Sequence, residues 1–207
     1  MIVDLPYKIA NAIVVNSTLY FMANLRREPG PFFFFLLVTF TMGLSMSMLF
    51  RLFASMTKTI AQALAPSSII LMLLILYTGY VIPIQYMRGY AVYIPVMDDY
   101  TNRYSWASWI RRINPVAYAF ENVMVNEYNR QIFECAYVIP SGPSYDNISA
   151  EQRACAVQGS VPGSNSVNGT LYVETAYSYQ YGNRWLNYGF ILTITIFLCE
   201  CSSTKFL

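Results

Sequence analysis

Apolar residues fall in four blocks along this chain, and polar residues gather between them. The blocks are Leu5–Leu25, Pro31–Phe50, Ala63–Ile82 and Trp185–Cys199. A helical membrane span takes ~20 such residues at 1.5 Å rise per residue. Pro31–Phe50 carries no charge and is the clearest span. Leu5–Leu25 includes Lys8, Asn11 and Asn16, and its two asparagines, costly against lipid, are expected to face other helices. Ala63–Ile82 is interrupted only by Pro66, near its start where proline does least harm, and closes on Gly79 and Pro83. Trp185–Cys199 is marginal, with about fifteen residues before Glu200. Arg26–Gly30 reads as a tight polar turn and Arg51–Gln62 as a short polar connector.

The stretch from Ile84 to about Asn183 has a different pattern, rich in Tyr, Gly, Ser and Pro. Within it, Trp106–Asn129 predicts a short amphipathic helix. Ala117, Phe120, Met124 and Tyr128 recur on one face, while Asn122, Asn126 and Asn129 mark the other. Asn114 is suited to the N-cap and Pro115 to the first helical position. The aromatic rings with Arg111 and Arg112 suit the headgroup zone of a bilayer; an ordinary surface helix of a soluble domain is the alternative, disfavoured by the neighbouring spans. Cys135 and Cys155 lie in the same loop as two glycosylation acceptors, Asn147 and Asn168. Together they indicate an oxidising, extracellular face; chance acceptors and free thiols are the alternative. As the only loop cysteines, Cys135 and Cys155 are expected to pair, unless another part of a larger assembly supplies a different cysteine. Placing this loop outside puts Lys8, Arg51, Lys58 and Lys205 inside. Arg26 and Arg27 then lie outside, against the positive-inside rule.

Composition narrows the classes. The chain has 207 residues, 56% hydrophobic and 12% charged, against ~25% charged in soluble domains. A net charge of +2 leaves no nucleic-acid footprint. No histidine occurs, which excludes a His-based catalytic set or His-ligated metal within these residues. Nor is there a Gly-x-x-x-x-Gly-Lys-Ser/Thr loop to cradle phosphates, a Gly-x-Ser-x-Gly elbow or a Cys-x-x-Cys pair. No catalytic residue, metal ligand or cofactor is therefore expected in this chain. Glu121 and Glu127 read as solvated or interfacial carboxylates. Cys199 and Cys201 are expected to stay reduced at the inner end of the last block. Met1 is followed by Asp4, Pro6 and Lys8 rather than by a secretory signal, so the first block would serve as its own insertion signal.

One run is more specific than these patterns. Asn114-Pro115-Val116-Ala117-Tyr118-Ala119-Phe120-Glu121, then Val125-Asn126-Glu127-Tyr128, resembles the signature of fungal pleiotropic drug resistance transporters of the ABC G family. Further matches lie in order, among them Asp4-Leu5-Pro6-Tyr7-Lys8, Asn24-Leu25-Arg26-Arg27, Gln62-Ala63-Leu64-Ala65-Pro66, Tyr77-Thr78-Gly79-Tyr80 and Val138-Ile139-Pro140-Ser141-Gly142-Pro143. The resemblance does not cover Gly89–Ser105, which reads as an insertion, and Cys199–Leu207 is shorter than the family's last helix.

The resemblance implies an all-α polytopic membrane protein of about four spans. These would be helices three to six of an ABC-2 type transmembrane domain, from the C-terminal part of the first such domain, with a large extracellular loop holding short amphipathic helices. The implied role is the membrane part of an ATP-driven exporter of hydrophobic or amphipathic compounds in the plasma membrane. ATP and magnesium would be bound by nucleotide-binding domains elsewhere, and partners would be lipid, the other transporter parts and an apolar substrate. By position in the family, Ser68, Met72 and Ile75 would face the substrate cavity, with packing against neighbouring helices as the alternative. Tyr80 and Val81 would form an outer valve. A competing reading is a non-transporting membrane fragment from a truncated or misassembled gene.

Overall fold

The computed structural model describes residues 5–81, 106–142 and 149–204, and is mostly helical. Four long helices, α1 (Leu5–Met22), α2 (Pro29–Met56), α3 (Ile60–Leu76) and α7 (Arg184–Thr204), account for most of it. Of these, α2 and the helix through Tyr181–Ser202 are long and apolar enough to cross a membrane. Of the four expected spans, α1 and α3 fall short by that measure. Helix α1 carries Lys8, Asn11 and Asn16, and α3 has 17 residues. The proposed insertion at Gly89–Ser105 and the acceptor Asn147 lie outside the described residues.

Two boundaries differ from the sequence reading. The connector expected over Arg51–Gln62 is helical through Met56, and only Thr57–Thr59 break the chain. No Gly or Pro lies between Arg51 and Met56, so nothing stops α2 where its apolar run ends. Helix α7, expected to be marginal, runs 21 residues and carries Glu200 within it.

Helices α1 and α2 form an antiparallel hairpin. At one end the Lys8 ammonium bonds the Ser47 hydroxyl. At the other the Tyr20 hydroxyl donates to the Arg26 carbonyl and closes the turn, its ring packed edge-on to Phe32 at 5.1 Å. Asn16 is half-buried and Asn11 exposed, and both border a groove of about 250 Å³ between α1 and α2. The main core joins Phe34 and Val38 of α2 to Ala119 and Ile191.

A cap covers the end where the α1–α2 turn, the close of α3 and the start of α7 meet. It consists of α4 (Trp106–Ile113), α5 (Pro115–Tyr128), α6 (Gly169–Tyr177) and four short strands. Strand β1 (Ile132–Glu134) pairs antiparallel with β4 (Ser166–Asn168), and β2 (Val138–Ile139) with β3 (Ala154–Cys155). A disulfide joins Cys135 to Cys155, with Cα atoms 5.6 Å apart, and ties the two ribbons together. The helix expected over Trp106–Asn129 is two helices, broken at Asn114. The Asn114 side chain caps α5 by accepting from the Val116 N–H at 2.9 Å, and Pro115 needs no bond there. Gly169 sits tight under α5: a Cβ there would stand 2.6 Å from the Tyr128 carbonyl oxygen.

Candidate functional site

The cap grips the end of α3. A helix leaves its last carbonyls without intrahelical partners. Here the Asn114 side-chain amide donates to the Leu74 carbonyl at 2.7 Å, and the Tyr179 hydroxyl donates to the Thr78 carbonyl at 3.4 Å. Both side chains are almost wholly buried. Gly79 follows at φ 93°, a backbone region that a side chain would disfavour, and this turn presents Tyr80 to the cap. The Tyr80 ring lies 5.0 Å from Phe120 of α5 and 5.8 Å from Tyr177 of α6. The ring contacts continue from Tyr177 to Tyr172, from Tyr172 to Tyr128, and from Tyr128 to Phe133 on β1.

Beneath this ladder lies a buried charge pair. The Arg111 guanidinium donates to the Glu121 carboxylate at 3.1 Å and stands over the Tyr179 ring at 5.6 Å. Burial pushes the Glu121 carboxyl above the ordinary range, with Arg111, the Asn187 side chain and the Gln180 backbone pulling it back. Burial likewise pushes the Tyr179 hydroxyl up to about 12. Glu127 is also raised by burial, opposed by the Arg26 N–H that donates to it at 2.7 Å.

The two faces of α5 are both engaged, and its asparagine face is the more deeply buried. Asn122 and Asn126 are buried, as is Glu121, while Phe120, Met124 and Tyr128 are half-buried on the cap side. The asparagine face is turned onto α2 and α7, where Asn126 donates to the Pro31 carbonyl at 3.0 Å. Glu121 is thus neither solvated nor interfacial. Periodicity separates two faces but does not say which one meets the larger body.

The remaining sequence-derived positions are placed as follows. Ser68, Met72 and Ile75 share one exposed face of α3. Tyr80 and Val81, both about half exposed, close the described part of that segment. Asn168 is exposed and caps α6, accepting from the Thr170 N–H at 3.0 Å. Cys199 and Cys201 are unbridged. Among the described residues no cluster of His, Cys, Asp and Glu could hold a metal. The sequence reading missed Arg111, Tyr179 and Tyr177 as members of the site. For Tyr177 and Tyr179 the signal was the density of aromatic residues across 172–181; Arg111 stood out in the sequence only as a headgroup-zone cation.

Comparison with known proteins adds a family. The model described as ABC-2 type transporter matches residues 1–128, and the one described as CDR ABC transporter matches residues 139–205. ABC multidrug transporter F of Aspergillus fumigatus is 53% identical over 200 residues, spanning 97% of this chain and 12% of that protein. ABC multidrug transporter AFR2 of Cryptococcus neoformans var. grubii is 41% identical over 194 residues, or 94% of this chain and 12% of its own. The ABC-type transporter oblD of Aspergillus clavatus is 45% identical over 198 residues, or 96% and 13%. The chain thus spans about an eighth of the length of these relatives.

Proposed function

Because this chain belongs to the ABC-2 type transporter family, in its fungal pleiotropic drug resistance branch, we propose that it forms part of the substrate path of an ATP-driven exporter of hydrophobic or amphipathic compounds. The observation that carries this reading is the match to multidrug transporters along nearly the whole chain. In this reading α1, α2, α3 and α7 cross the plasma membrane and the cap lies outside. The disulfide and the acceptors Asn147 and Asn168 suit that side. Glycosidase treatment then removes glycan from Asn147 or Asn168 and never from the further acceptor Asn16-Ser17-Thr18 within α1, and a cap labelled from the cytoplasm overturns the orientation.

The α3 face bearing Ser68, Met72 and Ile75 lines the substrate cavity, and Tyr80 and Val81 gate its outer end. Nucleotide-binding domains of the whole transporter bind ATP and magnesium; none of the phosphate-cradling sequence lies in these 207 residues. Closure of those domains is transmitted through the α2–α3 turn at Thr57–Thr59, and the cavity alternates between inward and outward access. Asn114 and Tyr179 hold the close of α3, so movement of the helix and of the cap are one event. The test is dye efflux in cells lacking their own exporters, with the chain placed in a complete transporter of this family and with Met72→Trp in the same background. Energy-dependent efflux that the tryptophan changes in substrate range supports the reading. Efflux indifferent to Met72 removes α3 from the cavity. The chain expressed alone is expected to give none.

A further inference from the structure

A pocket of about 570 Å³ opens where the α1–α2 turn, the close of α5 and the start of α7 meet. This is the boundary between apolar helix and polar cap. Three arginines line it: Arg26, Arg130 and Arg184. They are held in different ways. Arg26 donates through its guanidinium to the Asn129 carbonyl at 2.8 Å and to Glu28 at 2.7 Å, yet its Nε is buried with no hydrogen-bond partner. Arg184 is stacked over the Phe34 ring at 5.5 Å and the Trp185 ring at 5.6 Å, and bonds the Tyr181 hydroxyl. Arg130 is exposed, and among the described residues its guanidinium makes no ion pair or hydrogen bond. Arg130 and Arg184 thus bring positive charge to the pocket with no carboxylate paired to them. The one carboxylate in the lining, Glu28, is more than half exposed.

Below the charges the lining turns apolar. Phe33 and Leu37 stand one turn apart on α2, both exposed, and lead from the arginines down the helix. Gly30 leaves the upper floor open, since a Cβ there would meet nothing within 4 Å. Cationic head, single carboxylate and descending apolar track have the outline of one phospholipid molecule.

We propose that this pocket is a resident phospholipid site. The phosphate lies between Arg130 and Arg184, a headgroup ammonium meets Glu28, and one acyl chain follows Phe33 and Leu37. Arginine suits phosphate because its planar fork gives two parallel charge-assisted bonds. A carboxylate beside them favours a zwitterionic headgroup over a purely anionic one. The inference rests on the membrane reading of α2 and α7 but not on transport, so a protein that exports nothing still tests it.

The experiment is native mass spectrometry of the protein purified in detergent, stripped of lipid and offered defined additions. These are dioleoyl phosphatidylethanolamine, dioleoyl phosphatidylglycerol, dioleoylglycerol and inorganic phosphate. One phosphatidylethanolamine per chain should be retained, phosphatidylglycerol less, and dioleoylglycerol and free phosphate not at all. Arg130→Gln should weaken retention about tenfold, the scale of one charge-assisted contact. Gly30→Leu fills the pocket and leaves every charge in place, and should abolish retention; circular dichroism confirms that both variants keep their helices. Glu28→Gln should erase the preference between the two phospholipids. Retention of dioleoylglycerol equal to that of phosphatidylethanolamine, binding of phosphate alone at the same strength, or lipid retention unchanged in both Arg130→Gln and Gly30→Leu overturns the proposal. The last result would mean that another part of the protein covers the pocket.

Discussion

The helices and the cap both bury apolar cores, Phe34, Val38 and Ile191 in one and Val125, Val173 and Tyr179 in the other, but they differ in what lies around those cores. In α2 the inward positions include Thr41 and Ser45, while Phe33 and Leu37 point out; in α7 Asn187 is buried and Ile196 and Phe197 are exposed. The cap packs Val125, Val173 and Tyr179 together, keeps buried Asn114, Glu121 and Asn126 bonded to neighbours, and closes its ribbons with a disulfide. On the membrane reading proposed above, the same chain solves two solvation problems. Against lipid, apolar surface costs nothing and small or polar groups serve contact between helices. Against water, aromatic burial and a covalent staple do the work. Strands β1 and β2 are the cap's exception, with Ile132, Tyr137 and Ile139 exposed on or beside them.

The contrast can be broken most sharply in α7. Ile191→Ala, at a wholly buried position between Phe34, Val38 and Ala119, should cost ~2–5 kcal/mol of stability in lipid, read from thermal unfolding in nanodiscs. Phe197→Ala on the outer face should cost almost nothing in the same measurement, although it removes more atoms. Equal losses at the two positions would mean that α7 meets water or protein on both sides.

Next in size is the staple. Replacing Cys135 and Cys155 with serine should lower cap stability by about 3 kcal/mol, the entropy of a loop of this length, and leave the helices alone. Hydrogen exchange resolved by segment checks it: faster exchange in Ile132–Val167 with α2 unchanged is the expected pattern.

Asn114→Ala tests the junction of the two regions, because it removes both the α5 cap and the bond to Leu74. A loss of ~1–3 kcal/mol is expected, with exchange rising at the close of α3 as well as at the start of α5. Asn114→Ser keeps an acceptor for the start of α5 and loses the amide that reaches Leu74, so it should spare α5 and loosen α3.

The smallest effect is electrostatic. Glu121 and Glu127 both have raised carboxyl values in the folded cap, so the folded state holds their protons more tightly than the unfolded chain does. Their contribution to stability is fully present below the ordinary carboxylate range and is lost as pH rises through the folded values. Melting of the cap should therefore shift upward on mild acidification, and Glu127→Gln should flatten that slope.

Much of this architecture was legible from residue order. The uncharged run at Pro31–Phe50, the Asn114-Pro115 start of α5 and the family signature around it all rest on local rules that act within one turn. What was illegible depends on distant partners. The inward turn of Asn122 and Asn126 follows from where α2 and α7 stand, and helical spacing carries no information about that. The continuation of α2 past Arg51 is hidden because a single arginine ends the apolar run without ending the helix, which runs on to Met56. The ring ladder from Tyr80 to Phe133 joins four separate segments, the end of an apolar block, an amphipathic helix and two stretches of loop, and nothing local says that they meet.

The bonds that secure the cap-side ends of α1 and α3 have a consequence for the order of assembly. Arg26 waits for Glu127, and Thr78 waits for Tyr179; each pair is separated by 101 residues. During synthesis at roughly 5–20 residues per second, each helix end stays open for several seconds at least before its partner exists. Contacts of such long range are late by their nature, since the intervening chain must first be gathered. The first three helices are thus made early and finished late, and the seconds between leave their ends open to other partners.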